Sequence, residues 1–120
     1  MDNLKVLVVE DNESINRILC MQLDVLGVSN IVSFRSIQEA KLAIENMPFD
    51  GAFLDLVLPD GSGIEVGKLC VEYKIPVVFI TGMDDEYNEM LMLDIGWVLR
   101  KPVPVTALKR AVTYFRELKR

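Results

Sequence analysis

The chain contains no histidine. That removes Ser-His-Asp and Cys-His nucleophile chemistry and the commonest metal-ligating side chain. Its two cysteines, Cys20 and Cys70, belong to no CxxC pair, so a cysteine-based metal cluster is excluded. Each lies in a helix-like apolar pattern and reads as a buried free thiol of a reducing, cytoplasmic protein rather than half of a disulfide. No apolar run approaches the roughly 18 residues of a membrane span. The opening "MDNLKVLVVEDN" has neither a basic n-region nor a small-residue cleavage site, and acids follow at once, which argues against a signal peptide. A basic excess is also missing. With 13 Lys and Arg against 18 Asp and Glu, the net charge of −5 argues against nucleic-acid binding by this chain alone. "EDNES", after the first apolar run, has none of the glycines of a nucleotide-binding loop. Repeats, low-complexity runs and internal linkers are absent.

What is present is a substantial core. At 120 residues, 51% of them apolar, the chain reads as one domain, 1–120. Strand-like and helix-like segments alternate five times. The strand-like runs are "LKVLVV" (4–9), "SNIVSF" (29–34), "GAFL" (51–54), "IPVVFI" (75–80) and "WVLR" (97–100). The first, third and fourth are short, apolar and rich in β-branched residues, as parallel strands covered on both faces are. The second is more polar and suits a sheet edge.

Helix-like segments fill the intervals. Segment 13–26 carries Ile15, Ile18, Leu19, Gln22 and Leu26 on one stripe. Segments 37–46 and 63–72 are preceded by Ser36 and Ser62, each with a glutamate three residues on, Glu39 and Glu65, in the capping-box pattern. Segment 84–94 opens on acids, which the helix dipole favours. The last, about 104–118, has Pro104 near the first turn and a stripe of Leu108, Ala111, Val112, Phe115 and Leu118. The polar end "FRELKR" suits either a true terminus or the start of a linker. Five βα units with short connections predict a parallel sheet with right-handed crossovers and helices on both faces.

In such sheets the active site lies beyond the carboxyl ends of the strands. Glu10, Asp11 and Asn12 follow the first run, Asp55 the third, Thr81 and Gly82 the fourth, and Lys101 and Pro102 the fifth. Arg35 and Ser36, after the second, fit no site. Three carboxylates, a hydroxyl and an ammonium therefore converge. Bare, Glu10, Asp11 and Asp55 would repel one another, and a divalent cation offsets that. All-oxygen ligation suits Mg²⁺. A carboxylate beside such a cation can attack a phosphoryl group and form an acyl phosphate. Lys101 and the cation would offset charge on the phosphoryl oxygens, and the Thr81 hydroxyl can donate to one of them. Taken singly, "ED" is also a helix N-terminal charge cluster, Thr81 a cap and Lys101 a solvated cation. Their placement at matched strand ends favours the site.

"VLVVEDN", "FLDLVLPDGSGIE", "VVFITG" and "RKP" resemble the four signature blocks of the response-regulator receiver domain, in order and spacing, over essentially the whole chain. The resemblance implies a flavodoxin-like three-layer α/β/α sandwich: a five-stranded parallel sheet of order 2-1-3-4-5 with five helices. It implies that Asp55 is the phosphoacceptor and that Asp11 ligates Mg²⁺ (or Mn²⁺) directly. Glu10 then acts through water, and the Val57 main-chain carbonyl is a further ligand. Thr81 matches the hydroxyl that moves to the phosphoryl group, Lys101 the family's lysine, and Lys101–Pro102 a bond often cis. Pro59 and Gly63 match the turn into the third helix. Val57 and Met83 match the positions that flank the path of hydrolytic water. The implied partner is a histidine kinase or histidine phosphotransfer protein. A homodimer through the fourth helix, fifth strand and fifth helix is the expected output. It rests on acids Asp84, Asp85, Glu86 and Glu89 facing Lys109, Arg110, Arg116, Lys119 and Arg120.

The fifth block departs from the family. "DIGWVLRKP" is about two residues short between Gly96 and Lys101, and Val98 stands where Tyr or Phe is usual three before the lysine. Trp97 comes one place early, an offset that points a strand side chain to the opposite face. It is expected to replace the switch aromatic through a local bulge, or the receiver signals without the aromatic step and Trp97 is a hydrophobic anchor. Two other functions compete with the phosphoacceptor switch. A non-phosphorylated pseudo-receiver would show loss of a site residue, and none is lost. A phosphatase of the haloacid dehalogenase class would need a second acid two residues after the nucleophile, where Val57 stands.

Overall fold

The computed structural model describes residues 3–82 and 85–119. Met83, Asp84 and Arg120, three of the residues singled out above, lie outside that range. Five strands, β1 (Lys5–Val9), β2 (Asn30–Phe34), β3 (Gly51–Asp55), β6 (Val77–Thr81) and β7 (Trp97–Arg100), form one parallel sheet of order β2-β1-β3-β6-β7. Counted along the chain this is the expected 2-1-3-4-5, with the more polar β2 at an edge. Two further strands, β4 (Val57–Leu58) and β5 (Gly61–Ser62), form a separate antiparallel hairpin. Five helices complete the fold: α1 (Glu13–Val25), α2 (Ile37–Asn46), α3 (Gly63–Glu72), α4 (Glu86–Leu93) and α5 (Val105–Lys119).

Strand alternation divides the core into two layers. Leu7, Val9, Ala52, Leu54, Val77 and Phe79 face the side covered by Ile37, Ala40 and Ile44 of α2, Val66 and Cys70 of α3 and Met92 of α4. Val6, Val8, Phe53, Val78 and Ile80 face Leu19 and Leu23 of α1 and Leu108, Val112 and Phe115 of α5. Each such Val, Leu, Ile, Phe or Met side chain contributes about 1.5–3 kcal/mol when fully buried. Phe53 and Phe115 meet edge to face at 5.4 Å between centroids, pinning the centre of the sheet to α5.

Several helix details differ from the sequence reading. Of the α1 stripe only Leu19 is buried in the core; Ile15 and Ile18 are exposed, because the helix turns Leu23 inward instead. Leu118 of α5 is likewise outside. Ser36 caps α2 by accepting from the Glu39 backbone N–H, as expected. Ser62 caps α3 through the Ile64 N–H, but Glu65 turns away from the cap to pair with Lys41 of α2. Pro104 lies just before α5 and accepts from the Leu108 N–H. Both cysteines are free, Cys70 buried and Cys20 half-buried. Burial pushes the Cys70 thiol up to about 12, so it is chemically inert.

Candidate functional site

The carboxyl ends of β1, β3, β6 and β7 place Glu10, Asp55, Thr81 and Lys101 at one mouth of the sheet. Each sits where an apolar strand stops, so its side chain leaves the core just as the backbone does. Asp55 is the last residue of β3 and only 7% exposed; Glu10 and Thr81 are more buried still. Asp11, one residue further from the strand, is exposed. The expectation that Asp55 stands at the strand's mouth rather than inside the core is met, although the mouth is deep.

Lys101 Nζ lies 2.8 Å from Glu10 Oε1 and 3.2 Å from Asp55 Oδ2, joining the two acids. The backbone N–H of Lys101 donates to the Thr81 carbonyl at 2.9 Å, which holds β7's end beside β6. The Lys101–Pro102 peptide is cis. Glu10 is fixed from below: the Asn12 N–H donates to its carboxylate, and the Asn16 side chain donates to its carbonyl. Burial, with Glu10 adjacent, raises the Asp55 carboxyl to about 6 despite the opposing pull of Lys101. Burial alone would lower the Lys101 ammonium, but Glu10 and Asp55 outweigh it and hold the group above its ordinary value.

One carboxylate oxygen each from Glu10, Asp11 and Asp55 lies within 4.8 Å of the others. Three hard oxygen donors, one of them open to solvent, match what Mg²⁺ or Mn²⁺ takes. The repulsion that raises Asp55 is the repulsion a divalent cation would relieve.

Val57 begins β4 and is exposed, while Leu58 is buried. The hairpin was missed in the sequence, where these residues read as a loop. Its base is tight: the Gly63 N–H donates to the Leu56 carbonyl at 2.7 Å, and a Cβ on Gly63 would stand 1.9 Å from the Asp55 carbonyl oxygen. Glycine is therefore required there, and its closeness places α3 directly behind Asp55.

Trp97 is on the far side of β7 from the usual aromatic. It stacks on Tyr114 of α5, with centroids 4.6 Å apart and planes 18° apart. Val98, opposite Phe79, packs on the α2–α4 side instead. No bulge corrects the offset, since the β6–β7 register runs unbroken from Trp97 to Arg100. Arg100, opposite Thr81, reaches Glu89 of α4 at 2.5 Å. The proposed charge partners on α4 and α5 are thus partly engaged within the chain. Asp85 caps α4, Arg116 donates to the Leu26 carbonyl, and Lys119 binds Asp50 and the Asn3 carbonyl.

One contact beside the site is not legible in the sequence. Asp60, at the hairpin tip, accepts from the Ile37 and Gln38 N–H groups at the start of α2. Its place beside Pro59 marks a turn, but nothing local points to a helix 22 residues earlier.

Among known proteins, residues 6–113 match the family model of the response regulator receiver domain. The alkaline phosphatase synthesis transcriptional regulatory protein PhoP of Bacillus subtilis is 35% identical over 96 residues, which are 78% of this chain and 40% of that protein. The chain spans less than half the length of the curated relatives it matches. A CheY-like receiver domain protein from Methanospirillum hungatei superposes with a TM-score of 0.88 at 24% identity, over 98% of both chains. The signal receiver domain of a modulated diguanylate cyclase from Desulfovibrio desulfuricans gives 0.86 at 26%, over 99% of this chain and all of that one. With the sheet order, the acidic pocket and a family match across nearly all its length, this chain belongs to the response regulator receiver domain family.

Proposed function

We propose that this chain, as one domain, is a phosphoacceptor switch that takes a phosphoryl group from a phosphohistidine onto Asp55. The observation that carries the reading is the buried Asp55 carboxylate at the end of β3, with Lys101 at 3.2 Å and two further acids within reach of a shared cation. An Asp55 oxygen attacks phosphorus, the P–O bond forms, the P–N bond breaks, and its electron pair leaves on the donor imidazole. Asp11, Asp55 and the Val57 carbonyl would hold Mg²⁺, with Glu10 acting through water, and the cation would supply charge to offset that of the phosphoryl oxygens. Lys101 shifts from Asp55 toward the incoming phosphoryl oxygens, and the Thr81 hydroxyl donates to another. The chain thus catalyses its own modification and its reversal, without being a conventional turnover enzyme.

Because the chain has no histidine, the phosphohistidine lies outside it, on a histidine kinase or a phosphotransfer protein. An apolar cleft beside Lys101, lined by Ile15, Ile18, Ile80 and Val103, gives such a partner a surface next to Asp55. Among the described residues no helix is long and apolar enough to cross a membrane. We place the chain in the cytoplasm because it belongs to the receiver domain family. Output runs through α4, β7 and α5, where the exposed Lys109 and Arg110 of α5 can meet the Glu86 end of α4 in a second copy. The pseudo-receiver alternative lacks support, since every position of the site carries a competent residue.

Incubation with acetyl phosphate and Mg²⁺, followed by intact mass, tests the reading. The chain gains one phosphoryl mass, Asp55→Asn gains none, and chelation or Asp11→Ala abolishes the gain. Labelling of the Asn variant at the wild-type rate refutes the assignment.

A further inference from the structure

The hairpin carrying Val57 presents most of its residues to solvent. Val57, Pro59, Asp60, Gly61 and Ser62 are exposed, and Leu58 alone is buried. Leu58 packs in the core, the Val57 N–H donates to Asp55 Oδ1 at 3.3 Å, and two further attachments fix the hairpin's ends. At the base, the Gly63 N–H donates to the Leu56 carbonyl. At the tip, Asp60 Oδ1 accepts from the Ile37 N–H at 2.9 Å and Oδ2 from the Gln38 N–H at 3.2 Å. Gly61, at φ +144°, brings the tip so close to α2 that a Cβ there would touch Ile37 Cδ1 at 3.0 Å.

Helix α2 is a firm anchor, because Ile37, Ala40, Ala43 and Ile44 are all buried. Its first N–H groups lack partners within the helix. Ser36 satisfies the Glu39 N–H, and Asp60 satisfies the two before it. A carboxylate at a helix N-terminus is favoured by the dipole as well as by the hydrogen bonds. The same bonds hold the Asp60 carboxyl below its ordinary range.

From this geometry we infer that Asp60 is a positioning residue of the phosphoacceptor site: by clamping the hairpin tip to α2 it fixes the Val57 carbonyl for the cation. The inference rests on the phosphoacceptor reading of the site and deepens it. Without the tip bonds the exposed end of the hairpin is held only through Leu58, the Val57–Asp55 bond and the base, and it can tilt about Leu56 and Gly63. Val57 then moves while Asp11 and Asp55 stay in place, and cation affinity falls without loss of either carboxylate.

Ser36 supplies the control. It caps the same helix, and its hydroxyl bonds Glu39 rather than the hairpin, so Ser36→Ala weakens α2 without removing the Asp60 bonds. Two measurements are made on wild type, Asp60→Ala, Asp60→Asn and Ser36→Ala: Mg²⁺ titration by calorimetry, and amide exchange without metal. In Asp60→Ala the Mg²⁺ Kd rises about tenfold and exchange at Gly61, Ser62 and Gly63 rises by a similar factor. Asp60→Asn keeps one acceptor oxygen and falls between. Ser36→Ala changes neither hairpin exchange nor Kd by more than twofold. The inference is overturned if hairpin exchange is unchanged in Asp60→Ala, or if Ser36→Ala shifts it equally. Faster hairpin exchange in Asp60→Ala, with no Mg²⁺ binding by wild type, would keep the clamp and overturn the reading of the metal site.

Discussion

Replacing Asp55 by Asn should stabilise the ion-free protein at neutral and alkaline pH. The native carboxyl sits at about 6 against an ordinary 3.8. A tenfold displacement of a proton equilibrium is worth about 1.4 kcal/mol, so the charged form costs the native state about 3 kcal/mol at most. Water at the mouth of the site screens this to about 1–2 kcal/mol. A native pKa above the unfolded value means that the folded state binds the proton more tightly. Stability is therefore fullest below about pH 4, falls as pH rises through 6, and stays low above it. The neutral amide escapes that loss, and Lys101 keeps Glu10 at 2.8 Å as its partner. Urea unfolding in chelator should place the Asn midpoint about 1 M higher at pH 8, with the two proteins converging near pH 4. Excess Mg²⁺ should reverse the order, since only wild type retains the full carboxylate set and gains stability by mass action. An Asn variant less stable than wild type at pH 8, or a difference independent of pH, refutes the account of the pocket.

Three other outcomes are expected. Val57 cannot hydrogen-bond a water beside the acyl phosphate, and neither can a methionine at position 83, so phosphorylated protein should decay slowly after removal of the phosphodonor. Val57→Asn combined with Met83→Glu should decay at least several-fold faster, and equal decay would show that the apolar flank does not set the lifetime. Trp97→Phe should label at the wild-type rate while losing about 1 kcal/mol of stability by urea unfolding, because its stack on Tyr114 lies across the sheet from Thr81's side; a tenfold fall in labelling would contradict that placement. Sedimentation of the activated form should show a dimer at low salt that weakens at high salt, whereas a monomer in both removes α4 and α5 as a charge-paired interface.

The sheet was legible because its central strands, β1, β3 and β6, are buried on both faces. A run such as "IPVVFI" has few other readings when a helical period follows it. The site was legible for the same reason: Asp55, Thr81 and Lys101 interrupt apolar runs just where the strands end. What the sequence hid depends on partners distant along the chain. Ile15 and Ile18 share α1's apolar stripe with Leu19, but the sheet covers Leu19 and Leu23 and leaves the other two at the cleft. Glu65 has capping-box spacing, yet Lys41 of a neighbouring helix outcompetes the local backbone. Asp60 reads as a turn residue because its bonds are made to α2, far away in sequence. Trp97 is the instructive intermediate. Strand parity predicted the opposite face, and only the unbroken register excluded the bulge that would have restored the aromatic to the α4 side.

The central claim, that Asp55 receives the phosphoryl group, is tested most directly by trapping the acyl phosphate. Borohydride reduces an aspartyl phosphate to homoserine, which marks the acceptor in a peptide map. After incubation with Mg²⁺ and acetyl phosphate, the account predicts homoserine at position 55 and at no other acid, with none formed in chelator. Homoserine at Glu10's neighbour Asp11, or no conversion while wild type carries the phosphoryl mass, would contradict it.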